Sequence, residues 1–260
     1  MFNWFNYFRH SKKNITSRNL STIPNFSTGD ARINFVLQKL KNLIQKNKSK
    51  KSYFNILEIG AYIGMSTLKF GDVLYQEFGD NFKIFTIDPY KIKYGTEYKD
   101  AFPTNIIQDG YVHILEQKKI FENNISRQIW KKNHTHLLCN SQIALKDLKK
   151  NKLFFNFIYI DGSHAYSDVI NDFENSYDLL NEDGMLIGDD YELSYNEIFS
   201  NIDNEEEKKK MFNLILKERE SNGCLDFRGK SFHPGILLAM HKLCSRFNIQ
   251  KSNDCFFLYK

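Results

Sequence analysis

No apolar run in this sequence approaches the ~20 residues that a helix needs to cross a bilayer. That argues against a membrane-spanning helix. Cysteine is sparse, and Cys139, Cys224, Cys244 and Cys255 form no CxxC pair, which argues against a zinc ribbon or finger. Cys139 and Cys255 lie in apolar, strand-like runs and read as buried thiols. Disulfides are not expected, and a reducing, cytoplasmic compartment is. A clustered basic face is also missing. The formal charge of +5 is mild and reads as a solvated lysine-rich surface, so nucleic acid is not indicated as a partner. The first 29 residues hold no acid, only Arg9, Lys12, Lys13 and Arg18 among the charged types. They read as a polar leader, with a targeting peptide or membrane-surface arm as the alternative. Its aromatic start, Phe2, Trp4, Phe5, Tyr7 and Phe8, would dock on the body of the domain or on a partner. There is no internal repeat.

What is present suits one domain over residues 30–260. At 260 residues, with 42% hydrophobic side chains, 23 Phe and 14 Tyr, the chain can bury a sizeable core. From Asp30, apolar residues recur at helical steps: Ile33, Val36, Leu37, Leu40, Leu43, Ile44. Strands and helices then alternate. Strands are predicted at Tyr53–Ile59, Lys83–Asp88, His136–Cys139, Phe155–Ile160 and Met185–Gly188. Helices are predicted at Ser66–Glu77, Ile143–Lys150 and Ser167–Leu180. Such alternation builds βαβ units and a parallel sheet. Insertions near 91–132 and 192–231 break the rhythm. The first is expected to carry a helix around Tyr111–Asn124, and the second a charged helix near Glu205–Glu220. Long insertions at one edge of such a sheet often build the substrate pocket. The chain closes on two short strands joined by Ser252-Asn253-Asp254.

Leu57-Glu58-Ile59-Gly60-Ala61-Tyr62-Ile63-Gly64-Met65-Ser66 follows a strand and opens a helix. Gly60 lets the backbone turn and leaves room beside it for a ligand, and the helix start offers free N–H groups to an anion. Asp88 ends the next strand, where a carboxylate can accept from both hydroxyls of a ribose; its other reading is a turn residue before Pro89. Asp161, in Ile160-Asp161-Gly162-Ser163-His164, and the pair Asp189-Asp190, in Gly188-Asp189-Asp190-Tyr191, both follow predicted parallel strands. Open α/β sheets bind ligands at those ends. Three uncompensated carboxylates in one crevice suggest a bound cation, and all-oxygen ligands favour Mg²⁺ or a similar hard ion; the other reading is that one of Asp189 and Asp190 only caps a loop.

The segment Glu58–Ser66 resembles motif I of class I S-adenosylmethionine-dependent methyltransferases, in the form found in the catechol O-methyltransferase group. The resemblance implies a Rossmann-like α/β fold. Its seven-stranded, mostly parallel sheet has an antiparallel last strand and helices on both faces. It places Gly60, Tyr62 and Ser66 at the methionine end of the cofactor, Asp88 on its ribose, Ser141 and Gln142 at its adenine, and counts Glu58, Ala61 and Asp161 among the residues that bind it. Metal-dependent members carry one acid after the fourth strand and an acidic pair after the fifth. That implies Asp161, Asp189 and Asp190 as ligands of a divalent cation, Mg²⁺ first. His164 stands where the catechol-type enzymes carry a lysine base and macrolide-sugar O-methyltransferases a histidine. It is implied as the general base, with Asp161 beside it in catalysis. The run Phe157–Tyr191, the helix start Phe232-His233-Pro234-Gly235-Ile236 and the last strand Phe256–Lys260 are similar to a broad branch of the same superfamily; His233 and Pro234 read as the start of the last helix, with a place on the rim of the pocket as the alternative.

The expected reaction is methyl transfer to an oxygen of a small polar acceptor such as a sugar or glycoside hydroxyl, with a homo-oligomer left open. Three alternatives stand against it. An RNA or protein methyltransferase would share the cofactor site and show a basic surface. A nicotinamide oxidoreductase would want Gly-x-Gly-x-x-Gly, but Tyr62 stands two after Gly60. A non-catalytic cofactor-binding module would not need Asp161, His164, Asp189 and Asp190 together.

Overall fold

The computed structural model of the protein describes residues 30–47, 53–90, 107–108, 111–112 and 114–260. The leader anticipated over residues 1–29 lies outside them, as does 91–106 of the first insertion. In chain order the elements begin with helix α1 (Asp30–Asn47), β1 (Phe54–Ile59), α2 (Met65–Phe78) and β2 (Phe82–Ile87). The two-residue strands β3 (Ile107–Gln108) and β4 (Tyr111–Val112) precede α3 (Ile114–Ser126) and β5 (His134–Leu137). Then come α4 (Ser141–Lys150), β6 (Phe155–Ile160), α5 (Tyr166–Asp178) and β7 (Leu180–Gly188). The second insertion holds α6 (Tyr195–Phe199), α7 (Glu205–Glu218), β8 (Leu225–Phe227) and β9 (Lys230–Phe232). The chain closes with α8 (Pro234–Leu243), β10 (Gln250–Ser252) and β11 (Cys255–Tyr259).

Seven strands form one sheet in the order β10-β11-β7-β6-β1-β2-β5. From β7 to β5 they run parallel, and β11 is antiparallel to β7. Parallel strands covered on both faces must be apolar on both. Accordingly, all six residues of β6 are buried. Phe157 and Tyr159 enter one core with Ile33, Val36 and Leu40 of α1 and Phe70 and Leu74 of α2. Ile158 and Ile160 enter the other with Leu145 of α4, Phe173 of α5 and Met240 of α8. A third, smaller core is built from Ile198, Ile202, Ile215, Phe232 and Leu237, and it gives the second insertion its own interior.

Four local readings differ from the sequence expectation. The third core strand ends at Leu137, so Cys139 lies beyond it and is half-buried, whereas Cys255 is buried as expected. The helix of the first insertion starts at Ile114, because Tyr111–Val112 pairs with Ile107–Gln108 instead. The fifth core strand reaches back to Leu180, which pairs with Phe155 across an irregular register. The hairpin β8–β9 was not anticipated; it turns on Arg228 and Gly229, both with positive φ, the backbone of a tight two-residue hairpin turn.

Register sets the site. Ile59 pairs with Ile160, and Ile160 with Gly188. The residues that follow, Gly60, Asp161 and Asp189, therefore leave the sheet side by side. The ladder continues one step beyond the strands: Asp161 N donates to Ile59 O at 2.8 Å, and Asp189 N to Ile160 O at 3.0 Å.

Candidate active site

Gly60 has φ +88°, and a Cβ there would lie 1.9 Å from the carbonyl oxygen of Asp161. Only glycine permits this turn and this approach of two backbones. Beneath the turn, Glu58 is fully buried, and its two carboxylate oxygens accept from Ser66 Oγ and Thr67 Oγ1. Burial raises its pKa from 4.5 to about 7, against the pull of those two hydroxyls. Glu58, expected from sequence to touch the cofactor, is instead sealed below the loop and ties β1 to the start of α2.

Asp88 follows β2 and clamps the same turn. Its Oδ2 accepts from the backbone N–H of Ala61 (3.1 Å) and Tyr62 (3.0 Å), and its Oδ1 from that of Tyr90 (2.8 Å). Burial pushes its pKa up while these three amides pull it down. Tyr62 adopts φ +47°, and its carbonyl accepts from Tyr90 Oη at 2.8 Å. A ribose on Asp88 would thus share the carboxylate with three amides. Ser141 and Gln142 open α4 at the end of β5; Ser141 is half-buried and Gln142 exposed.

Across the turn, Asp161, Asp189 and Asp190 form one polar cluster with partners that the sequence did not reveal. Tyr159 Oη, buried in β6, bridges Asp161 Oδ2 (3.3 Å) and Asp189 Oδ2 (3.2 Å). The Arg32 guanidinium reaches over from α1 to Asp189 Oδ1 at 3.0 Å and to Asp190 Oδ1. The carboxylates are therefore not uncompensated, but one guanidinium against three acids leaves an excess of negative charge. Burial first, then Asp189 and Asp190, holds the Asp161 carboxyl well above its ordinary range. Burial and Asp190 raise Asp189 to about 6. Asp190, at φ +60°, goes the other way: against the upward pull of burial, a hydrogen bond from His164 and the charge of Arg32 depress its pKa.

His164 Nε2 lies 3.0 Å from Asp190 Oδ2, while its Nδ1 is buried with no hydrogen-bond partner among the described residues. The second insertion holds the His164 loop in place. Asn222 Oδ1 accepts from His164 N (2.7 Å) and Ser163 Oγ (3.1 Å), and Arg219 O accepts from Tyr166 N (2.7 Å). From below, Gly235 at the start of α8 packs so closely that a Cβ would fall 2.1 Å from His164 O. His233, the residue capping α8, brings its ring centroid to 4.1 Å from that of His164. Arg32 and Asn222 are members that no motif points to, whereas Tyr159 stands in the Tyr-Ile-Asp-Gly-Ser-His run and His233 in the Phe232–Ile236 helix start, whose alternative reading is a place on the rim of the pocket.

The crevice at Asp161, His164, Asp189 and Asp190 is tight, with about 10 Å³ open, roughly the space of one water. A larger groove of about 470 Å³ lies in the second insertion between α7 and β8, lined by Ile202, Met211, Leu214 and Phe227, away from this chemistry.

The chain belongs to the methyltransferase-domain family, which matches residues 57–191, and its sheet is that of the class I, S-adenosylmethionine-dependent enzymes. No curated protein matches it in sequence. Its fold is similar to the O-methyltransferase NovP, at TM-score 0.55 and 13% identity over 89% of this chain and 80% of NovP. It is similar to TomG of Streptomyces achromogenes, an O-methyltransferase of tomaymycin synthesis solved with S-adenosylmethionine, at 0.53 and 11% over 93% and 84%. It is similar also to CalS11, the calicheamicin methyltransferase, at 0.52 and 12% over 95% and 87%. At these identities the likeness is one of fold. Among the described residues no helix is long and apolar enough to cross a membrane.

Proposed function

We infer that the protein methylates a hydroxyl oxygen of a small polar acceptor, a sugar or glycoside, at the crevice between the Gly60 turn and His164. One observation carries this reading: His164, Asp161, Asp189 and Asp190 gather at the ends of β6 and β7, next to the turn of β1. A binding module has no need of a histidine–carboxylate pair at that place. In the same fold, CalS11 is a TDP-rhamnose 3'-O-methyltransferase, which supports a sugar as acceptor.

S-adenosylmethionine supplies the electrophilic methyl group. Gly60, Ala61, Tyr62 and Ser66 would receive its methionine end, Asp88 would hold its ribose, and Ser141 and Gln142 would meet its adenine. Asp161, Asp189 and Asp190 would offer hard oxygen donors to a divalent cation such as Mg²⁺ once drawn together; as they stand, Tyr159 lies between Asp161 and Asp189, their oxygens are not all within 4.8 Å of one another, and Arg32 pairs with Asp189 and Asp190. Such an ion, when bound, lowers the pKa of an acceptor hydroxyl and orients it. His164 moves the proton. With Nε2–H donated to Asp190, the lone pair sits on the buried Nδ1, which takes the acceptor's proton as the oxygen attacks. Asp190 fixes that tautomer and stabilises the imidazolium that forms. The rest of catalysis is positioning.

The test is methyl transfer from labelled S-adenosylmethionine to a panel of glycosides, catechols, RNA and protein. Label on a glycoside, lost in His164→Ala, is the expected result. Label on RNA or protein alone would replace this reading.

A further inference from the structure

His164 sits on a loop that its own neighbours in the chain do not complete. Helix α5 follows at once, and the first N–H groups of a helix have no partner inside it. Ala165 stands at the cap position and has no side-chain oxygen to offer them. The partners come from residues 219–222, just past the end of α7. Arg219 O accepts from Tyr166 N at 2.7 Å. Glu220 Oε2 accepts from Ser167 N (3.2 Å) and Ser167 Oγ (2.8 Å), and its negative charge suits the positive end of the helix. Asn222 Oδ1 takes the N–H of His164 itself at 2.7 Å, together with Ser163 Oγ at 3.1 Å. Ser163 Oγ accepts in turn from Ala165 N at 3.3 Å. Gly235 of α8 closes the junction, where a Cβ would fall 2.5 Å from Arg219 O and 2.6 Å from Tyr166 N. Ile215, one turn before Arg219, anchors α7 in the insertion's own core, so residues 219–222 are presented from a folded support. They lie outside 57–191, the stretch that the methyltransferase-domain family matches.

We propose that Asn222 is a positioning residue for methyl transfer: through it the second insertion fixes the backbone of His164, and with it the imidazole against Asp190. The proposal rests on His164 as the base. The ring of His164 meets Asp190 at Nε2, and its Nδ1 has no hydrogen-bond partner among the described residues. Its direction is therefore set by Asp190 at one end and by the backbone at the other. Without the Asn222 oxygen, the His164 N–H would have to turn toward water to regain a partner, and the ring would move with it. A shift of about 1 Å at a reacting group can cost on the order of 10²-fold in rate. The insertion is thus part of the catalytic apparatus, although it carries no catalytic residue of its own.

The experiment compares the native full chain with Asn222→Leu and Asn222→Ala, which lose the acceptor with and without the volume, and with Asn222→Asp, which keeps the acceptor. Amide hydrogen exchange over residues 163–167 reads the clasp. Steady-state kinetics read the positioning, on whichever of the glycosides, catechols, RNA or protein the native chain methylates, so failure of the glycoside reading leaves this test standing. Losing the acceptor should quicken exchange at the His164 amide by about 10-fold, the scale of one hydrogen bond. It should lower kcat by about 10²-fold, with KM and the affinity for S-adenosylhomocysteine within about threefold. Asn222→Asp should restore both protection and most of kcat. Circular dichroism will show which variants are folded. Native exchange in a folded variant without the acceptor would overturn the clasp. Fast exchange with native kcat, or a loss of kcat that Asn222→Asp does not recover, would overturn the positioning role.

Discussion

His164 Nε2 lies 3.0 Å from Asp190 Oδ2, across the gap between the ends of β6 and β7. The pair is possible because Asp190 turns back at φ +60°, directing its carboxylate toward the His164 loop. If His164 is the base, His164→Ala should lower kcat by about 10²–10⁴-fold with little change in affinity for S-adenosylhomocysteine. His164→Gln separates base from prop, since glutamine can still donate to Asp190 but cannot take a proton. Near-normal kcat in the glutamine variant would reduce His164 to a structural residue.

If the oxygen cluster holds a hard divalent ion, as proposed, activity depends on that ion. Turnover should vanish in excess EDTA and return with Mg²⁺ or Mn²⁺. Full activity in EDTA would mean that Arg32 alone satisfies the three acids.

Arg32 is the chain's own cation at this site, with its side chain 25% exposed. Replacing it by methionine leaves Asp189, whose side chain is only 1% exposed, without its charge partner. Arg32→Met should cost about 3 kcal/mol in urea unfolding, the lower end for breaking a buried pair. Adding Asp189→Asn should recover part of that loss. A change below about 0.5 kcal/mol in the single variant, the level of an ordinary surface substitution, would place the pair among the ineffective ones.

Glu58 links stability to pH. Its folded pKa of about 7 lies above the ordinary 4.5. Below about 4.5 the carboxyl is protonated in both folded and unfolded chains, and its contribution is fully present. As pH rises toward 7, the unfolded chain ionises first and that contribution is lost, by roughly 3 kcal/mol in all. Measured across this window, Glu58→Gln should lack the decline and be the more stable protein at high pH. Parallel curves for the two proteins would show that Glu58 ionises normally.

Asp88 can be tested by calorimetry. Asp88→Ala should weaken S-adenosylhomocysteine binding by about 1.5–3 kcal/mol, the worth of hydrogen bonds to a charged group. Part of the effect would come through the Ala61 and Tyr62 amides that Asp88 now holds. Equal affinity would remove Asp88 from the cofactor site.

The hairpins β3–β4 and β8–β9 are not legible in the sequence, whereas the order of the strands and helices of the main sheet, the Gly60 turn and the acids after β6 and β7 are. Each is local: apolar periodicity and a glycine at a strand end depend on neighbours along the chain. The alternation of β6 between two cores follows from burial on both faces, to which the run Phe155–Ile160, apolar except for Asn156, already points. What tertiary structure alone decided is which side chains meet at the sheet's edge. Arg32 reaches Asp189 across 157 positions, Asn222 reaches His164 across 58, and His233 joins Glu192 across 41. No periodicity or spacing encodes such pairs, because they depend on how helices and insertions pack over the finished sheet. The inward turn of Glu58 and the absence of a CxxC pair teach the same lesson. A motif shows that a carboxylate stands near a turn, but only packing shows whether it faces a ligand. Cysteine spacing also says nothing of Cys224 and His233, nine residues apart, which a hairpin brings to 3.1 Å.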